Sequence, residues 1–163
     1  MKTESLTAII STDFDADPDV SYLGEFSRDW AIGCVERKEY TANPNFPLAW
    51  FPYILPTISY DEHRKALQKM GMSKHDSDIK ARRIIAETCE RLESFGTDSG
   101  WCMLVVTAKI LDSTGAILGV SSLGGVESDA GADYWGEVTQ DTIAQAADNA
   151  GINVDEISEI VDE

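Results

Sequence analysis

From Trp101 to Leu111 every second residue is apolar: Cys102, Leu104, Val106, Ala108 and Ile110. A period of two marks a β-strand with one face in the core. The intervening set begins apolar at Trp101, Met103 and Val105 and turns polar at Thr107 and Lys109. Asp112-Ser113-Thr114-Gly115 is a turn sequence. Ala116–Leu123 is expected to return as the partner strand, with Gly124-Gly125 ending it. Near the start, Leu6–Ser11 is rich in β-branched residues and predicts a strand leading into an acidic turn, Asp13–Asp19. Ser21–Phe26 and Ala31–Glu36 are short strand candidates.

Elsewhere the period lengthens. Asp61–Met70 predicts a short helix that Gly71 ends through the left-handed conformation. Ser73, with Asp76 three residues on, forms a capping arrangement for a helix reaching about Phe95. Ala81, Ile85, Cys89 and Leu92 form its apolar stripe, with Asp78–Arg82 and Glu87–Arg91 as four-apart ion pairs outside. Ser128 or Asp129 is positioned to cap a helix over about Asp133–Ala150, with Gly151 beyond its end. A last short helix is expected at Asp155–Val161, capped by Asn153. Asn43–Tyr60 holds Pro44, Pro47, Pro52 and Pro56 and reads as an ordered loop. Strands, helices, a hairpin and then a helix make an α+β fold: an antiparallel sheet with a central hairpin, packed against two or three helices. At 163 residues, with no repeat or low-complexity linker, residues 1–163 read as a single acidic domain.

Charge changes the picture. The chain has 29 Asp+Glu against 13 Lys+Arg, a formal net charge of −16, and a pI near 4.3. The imbalance is local: residues 61–93 nearly balance, and no Lys or Arg follows Lys109. A polyanion repels phosphates, so direct binding to nucleic acid or to an anionic membrane is not expected. The three cysteines, Cys34, Cys89 and Cys102, are odd in number and widely spaced, which suits buried thiols in a reducing compartment. Met1–Ile10 lacks the long apolar region of a signal peptide, and Trp101–Val106 is far shorter than the roughly 20 residues of a membrane span. A cytoplasmic protein is the expectation.

Candidate chemistry is sparse. Asp13, Asp15, Asp17 and Asp19 alternate as in a calcium loop. Pro18, however, stands where that loop needs glycine, and Gly24 where it needs a bidentate glutamate. A solvated acidic turn explains them better. Cys34, His63, His75, Cys89 and Cys102 have no metal-ligand spacing, and no nucleophile elbow, phosphate loop or dinucleotide fingerprint occurs. No catalytic, cofactor-binding or metal-binding residue is assigned, and no cofactor is implied. Phe46, Trp50, Phe51, Tyr53 and Tyr60 could anchor a partner, but covering a sheet is the simpler role.

The helix after Asp129 carries the most informative pattern. At about 100° per residue, Glu137, Asp141 and Asp148 all project within about 80° of Asp133 on the helix circumference. Trp135, Val138, Thr142, Ala146 and Ala150 fall on the opposite side. The carboxylates therefore form a ridge that could imitate nucleic-acid phosphates. Duplex DNA carries a charge per roughly 1.7 Å, whereas carboxylates four apart rise about 6 Å. One ridge is too sparse alone, so Glu127, Asp129, Asp155, Glu156 and Glu159 would have to join Asp133, Glu137, Asp141 and Asp148 in one partner-binding surface. An ordinary solvated helix face is the competing explanation.

Three stretches carry a resemblance. Asp17-Pro18-Asp19-Val20-Ser21-Tyr22-Leu23-Gly24-Glu25-Phe26 is similar to a DPDxSYLGE(F/Y) signature. Arg91–Gly96 leading into Trp101-Cys102-Met103 is similar to a helix, short turn and Trp-initiated strand. Leu123-Gly124-Gly125-Val126-Glu127-Ser128-Asp129, followed by Tyr134 and Glu137-Val138, resembles a GLWGIESDS…Y…EV block. Together they resemble an uncharacterised family of small bacteriophage, prophage and plasmid proteins. A glycine stands where tryptophan is common there, and the proline-rich loop has no counterpart. The resemblance implies a mobile-element origin and a host-cytoplasmic setting, with no catalytic residues to carry over. Joined to the charge, it gives a leading expectation of a non-enzymatic protein. Such a protein would inhibit a host nucleic-acid-binding protein or defence complex, by anti-CRISPR or anti-restriction action. The alternatives are a small metal-dependent enzyme or metal-binding module using the N-terminal aspartate cluster, and an acidic scaffold or oligomer.

Overall fold

The computed structural model describes residues 5–37, 51–97 and 100–163. The strands are β1 (Leu6–Phe14), β2 (Gly24–Ser27), β3 (Val35–Glu36), β4 (Tyr53–Pro56), β5 (Met103–Leu111), β6 (Ile117–Glu127) and β7 (Ile157–Asp162). The helices are α1 (Tyr60–Lys69), α2 (Lys74–Ser94) and α3 (Ala132–Ala150). The fold is α+β, and the chain divides into two compact units, Met1–Pro18 with Cys102–Glu163, and Asp19–Trp101.

In the first unit the β5–β6 hairpin joins β1 and β7 in a four-stranded sheet of order β6-β5-β1-β7. β1 runs antiparallel to β5 and parallel to β7. The alternation seen in the sequence sets which face is buried. Ala8 and Ile10 of β1 meet Val106, Ala108 and Ile110 of β5 on one face, under Val138, Ile143 and Ala146 of α3. At Gly119 the helix rests directly on the β6 backbone, where an added Cβ would lie 2.2 Å from the Ala146 carbonyl oxygen.

Three features correct the sequence reading here. Gly124 and Gly125 do not end the strand. Val106 pairs with Leu123 and Leu104 with Val126, so the two glycines form a bulge opposite Val105 and β6 continues to Glu127. The Asp15 carboxylate accepts the Gly125 amide at 2.9 Å, which satisfies a donor the bulge would otherwise leave unpaired. The expected helix at Asp155–Val161 is instead a single 3-10 turn, Val154–Glu156, capped by Asn153 and followed by β7. Its partner strand β1 supplies the hydrogen bonds that local propensity could not foresee. Finally, α3 starts from Gly131 with no side-chain cap. Ser128 accepts the Cys102 amide instead.

The hairpin turn is held by Asp112, whose carboxylate accepts from the Thr114 hydroxyl, the Ala116 amide and the Thr114 amide. The Thr114 hydroxyl, followed by the two amides, holds this carboxyl below its ordinary range. A depressed folded value contributes stability that is present above the unfolded pKa and lost as pH falls through the folded one. Asp112→Ala is therefore expected to lower the melting temperature at pH 7 and to lose that effect near pH 2. Asn, which retains an acceptor oxygen, should be milder. Thermal melts across pH check both.

In the second unit β4 lies between β2 and β3 in a three-stranded antiparallel sheet. β4 overturns the loop expected over Asn43–Tyr60 for residues 53–56; residues 43–50, with Phe46 and Trp50, lie outside the described residues. Pro52 and Pro56 bound the strand without interrupting its buried Ile54. Gly24 sits at φ 154°, and an added Cβ would lie 2.7 Å from the Leu55 carbonyl oxygen. α1 opens with a Ser59/Glu62 capping box, and α2 opens on Ser73 as expected. The Asp78–Arg82 pair forms at 3.1 Å, but Glu87 pairs with Arg83 at 2.9 Å. Arg91 lies over the Trp101 ring at 4.1 Å. Aromatic stacking there takes the guanidinium that i,i+4 spacing assigned to Glu87.

Cys89 is buried in the α2 stripe, and burial, with Glu93 and Glu90 adding to it, pushes its thiol up to about 11. A thiol of that kind carries almost no thiolate at neutral pH. Iodoacetamide at pH 7.5 is expected to leave Cys89 unlabelled in the folded protein and to label it in denaturant, as mass mapping would show.

Candidate functional site

The two units divide the charge unequally. Sixteen carboxylates and two lysines fall in the first, a net −14, against thirteen carboxylates and eleven Lys or Arg in the second, a net −2. The acidic surface therefore belongs to the unit built around α3.

α3 owes its existence to packing. Val138, Thr142, Ile143, Ala146 and Ala147 are buried, and Gly151 closes the helix in the left-handed conformation at φ 69°. Its opposite face carries Asp133, Glu137, Asp141 and Asp148, all exposed. Asp133 sits in the first turn, where the helix dipole favours a carboxylate. The other three do not help the helix. Asp133/Glu137 and Glu137/Asp141 are like-charge pairs at i,i+4, each destabilising by about 0.2–0.5 kcal/mol. Asp148 lies near the C-terminal end, which has no basic residue in its last turn. These four carboxylates form no ion pair among the described residues. The ion pairs Arg37–Glu93, Arg64–Asp61, Arg82–Asp78 and Arg83–Glu87 all lie in the second unit.

The remaining predicted site residues divide by position. Glu127, half-buried at the end of β6, and exposed Asp129 precede the N-terminus of α3. Asp155 and Glu156, both exposed, follow its C-terminus in the 3-10 turn. These four flank α3 at its two ends in the chain. Glu159 does not join it. The register pairs Glu159 with Thr7, whose neighbour Ala8 faces the core, so Glu159 lies on the sheet face turned away from α3.

One residue of this surface escapes the sequence reading. Tyr134 is 45 % exposed and projects beside Glu137 and Asp141, one residue-step of about 100° from Asp133. An exposed tyrosine within a carboxylate strip supplies a flat apolar anchor with a hydroxyl, the composition of an interface hot spot. The signal lies in its angle, which a reading of the aromatic as part of a motif passes over.

The N-terminal aspartates are engaged locally. Asp15 accepts the Gly125 and Asp17 amides, and Asp19 accepts the Ser21 amide. Among the described residues no group of three or more His, Cys, Asp or Glu side chains is gathered to hold a metal ion. No helix is long and apolar enough to cross a membrane among those residues. Set against family models, curated proteins and solved structures, the chain has no significant match to any of them.

Proposed function

We propose that this chain is a non-enzymatic inhibitor from a bacteriophage or other mobile element. Its acidic α3 surface occupies a cationic nucleic-acid groove of a host defence complex of the CRISPR or restriction type. The supporting observation is the run Asp133, Glu137, Asp141 at i,i+4 spacing with no cation on the helix. A helix face that merely needed solvation would be better served by mixed charges, which stabilise where these repel.

The spacing sets the mode of binding. Asp133 to Asp148 spans about 22 Å, over which duplex DNA carries about thirteen charges. Four carboxylates cannot replicate that density, so Glu127, Asp129, Asp155 and Glu156 must meet further cations, with Tyr134 adding apolar contact. The reading is tested by displacement of a labelled duplex from purified Cas and restriction complexes. Displacement is expected to weaken by about tenfold or more between about 50 and about 200 mM salt. Competition indifferent to salt, or none with either complex, overturns it.

A further inference from the structure

Among the described residues, no helix of the same unit lies on the face of the four-stranded sheet opposite α3. Strand pairing sets its residues in rows. Ile117, Leu111, Thr7 and Glu159 form one, and Val120, Lys109, Ile9 and Val161 the next. Ser122, Thr107 and Ser11 form a third, with Thr107 and Ser122 hydroxyls 2.9 Å apart. None of these side chains is buried, and Ile117 and Val120 are 58 % and 43 % exposed. On the other face Ala8, Val106, Ala108 and Ile110 are fully buried. Over these three rows the described residues of this unit pack on one side of the sheet only, whereas Met103, which alternation places on the same face, is buried at 5 % exposure.

We infer that this open face is a self-association surface on which a second copy of the chain packs, sheet against sheet. Charge selects that occupant. The first unit is net −14, so two copies repel wherever carboxylates face each other. This face is the exception, since its first three rows carry only Lys109 and the rim residue Glu159. Lys109 is also the one cation of the described part of that unit, and it makes no ion pair among the described residues. In an isologous pair each Lys109 gains the other copy's Glu159 as counter-charge, so the face is complementary to itself.

The size fits a modest dimer. Four strands about 4.8 Å apart and five residues long over these rows give roughly 320 Å² in plan. Side-chain relief raises the accessible area to about 420 Å² per copy, the size of a weak, transient interface. Two sheets stacked about 10 Å apart would leave both α3 ridges on the outside, so this assembly is compatible with the proposed inhibitor and independent of it.

Sedimentation velocity on the full chain at about 100 μM tests the inference. The expected species has twice the 17.9 kDa chain mass, and its fraction rises between about 50 and about 500 mM salt, because screening relieves the repulsion between two polyanions. That direction is opposite to the one expected for the acidic ridge binding its partner, so either idea can fail alone. Ile9→Glu and Thr107→Arg, two independent surface changes checked by circular dichroism, are each expected to reduce dimer affinity by at least about tenfold. Asp141→Asn is expected to leave the dimer in place. A monomer throughout, a dimer that salt dissolves, or a dimer indifferent to whichever of these two variants fold would overturn the inference.

Discussion

Glu137→Gln/Asp141→Asn/Asp148→Asn is expected to raise the melting temperature of the chain while abolishing the displacement of nucleic acid that the proposed function entails. The opposition of signs is the informative part. Removing the Asp133/Glu137 and Glu137/Asp141 repulsions relieves about 0.2–0.5 kcal/mol each. Removing Asp148 from the negative end of the helix dipole adds up to about 1 kcal/mol. Asp133 is left in place because the dipole favours it there. The sum corresponds to a rise of several degrees for a unit of this size. Binding should fall beyond detection, since three adjacent charges vanish from the centre of the ridge. Paired thermal melts and competition assays read the two effects. A variant that gains stability and still displaces DNA would reduce the ridge to a solvated helix face. Tyr134→Ala, which changes no charge, should weaken displacement without altering its dependence on salt.

Gly119→Val is expected to release α3 from the sheet. The Cβ position lies 2.2 Å from the Ala146 carbonyl oxygen and 2.8 Å from the Ala150 Cβ, and the first of these is backbone, which cannot rotate aside. Overpacking of this kind costs about 1–3 kcal/mol, and a clash with a helix backbone belongs at the upper end. A fall of about 10 °C or more in the melting temperature should follow. Ridge function is expected to fall with it, because the carboxylates depend on α3 for their alignment. Gly115→Ala, at φ 84° in the β5–β6 turn, is a control for the hairpin itself. It strains one residue's backbone but leaves the helix seated. If Gly119→Val melts like the unaltered chain, the close helix–sheet contact is not what holds α3.

How much is legible depends on whether an element's cause is local. The β5 alternation from Val106 to Ile110, the Ser73 cap and the Gly151 stop are each written within a few residues, and each lies where expected. At the start of β5, by contrast, Trp101 and Met103 are buried in place of Cys102 and Leu104. β4 is missed because prolines read as loop signals, although Pro52 precedes the strand and Pro56 only ends it. β7 is missed for a different reason. Ile157–Asp162 is acidic and short, and it is extended because β1, from the opposite end of the chain, offers it a parallel partner. The ridge is legible because helical geometry fixes the angles among Asp133, Glu137, Asp141 and Asp148 once a helix is assumed. The placement of Glu159 is not, since a one-residue shift in register between Leu6 and Thr7 decides its face.

By itself, then, the amino-acid order determined the charge, its concentration after Lys109, and the one-sided pattern of α3, because these are properties of residues and of a fixed helical period. Only the tertiary structure decided that Glu159 leaves the ridge, that Asp15 holds a bulge, and that Lys109 lies on the sheet face opposite α3. Each of these depends on hydrogen-bond pairing between segments distant in sequence, and such pairing has no local period from which it can be read.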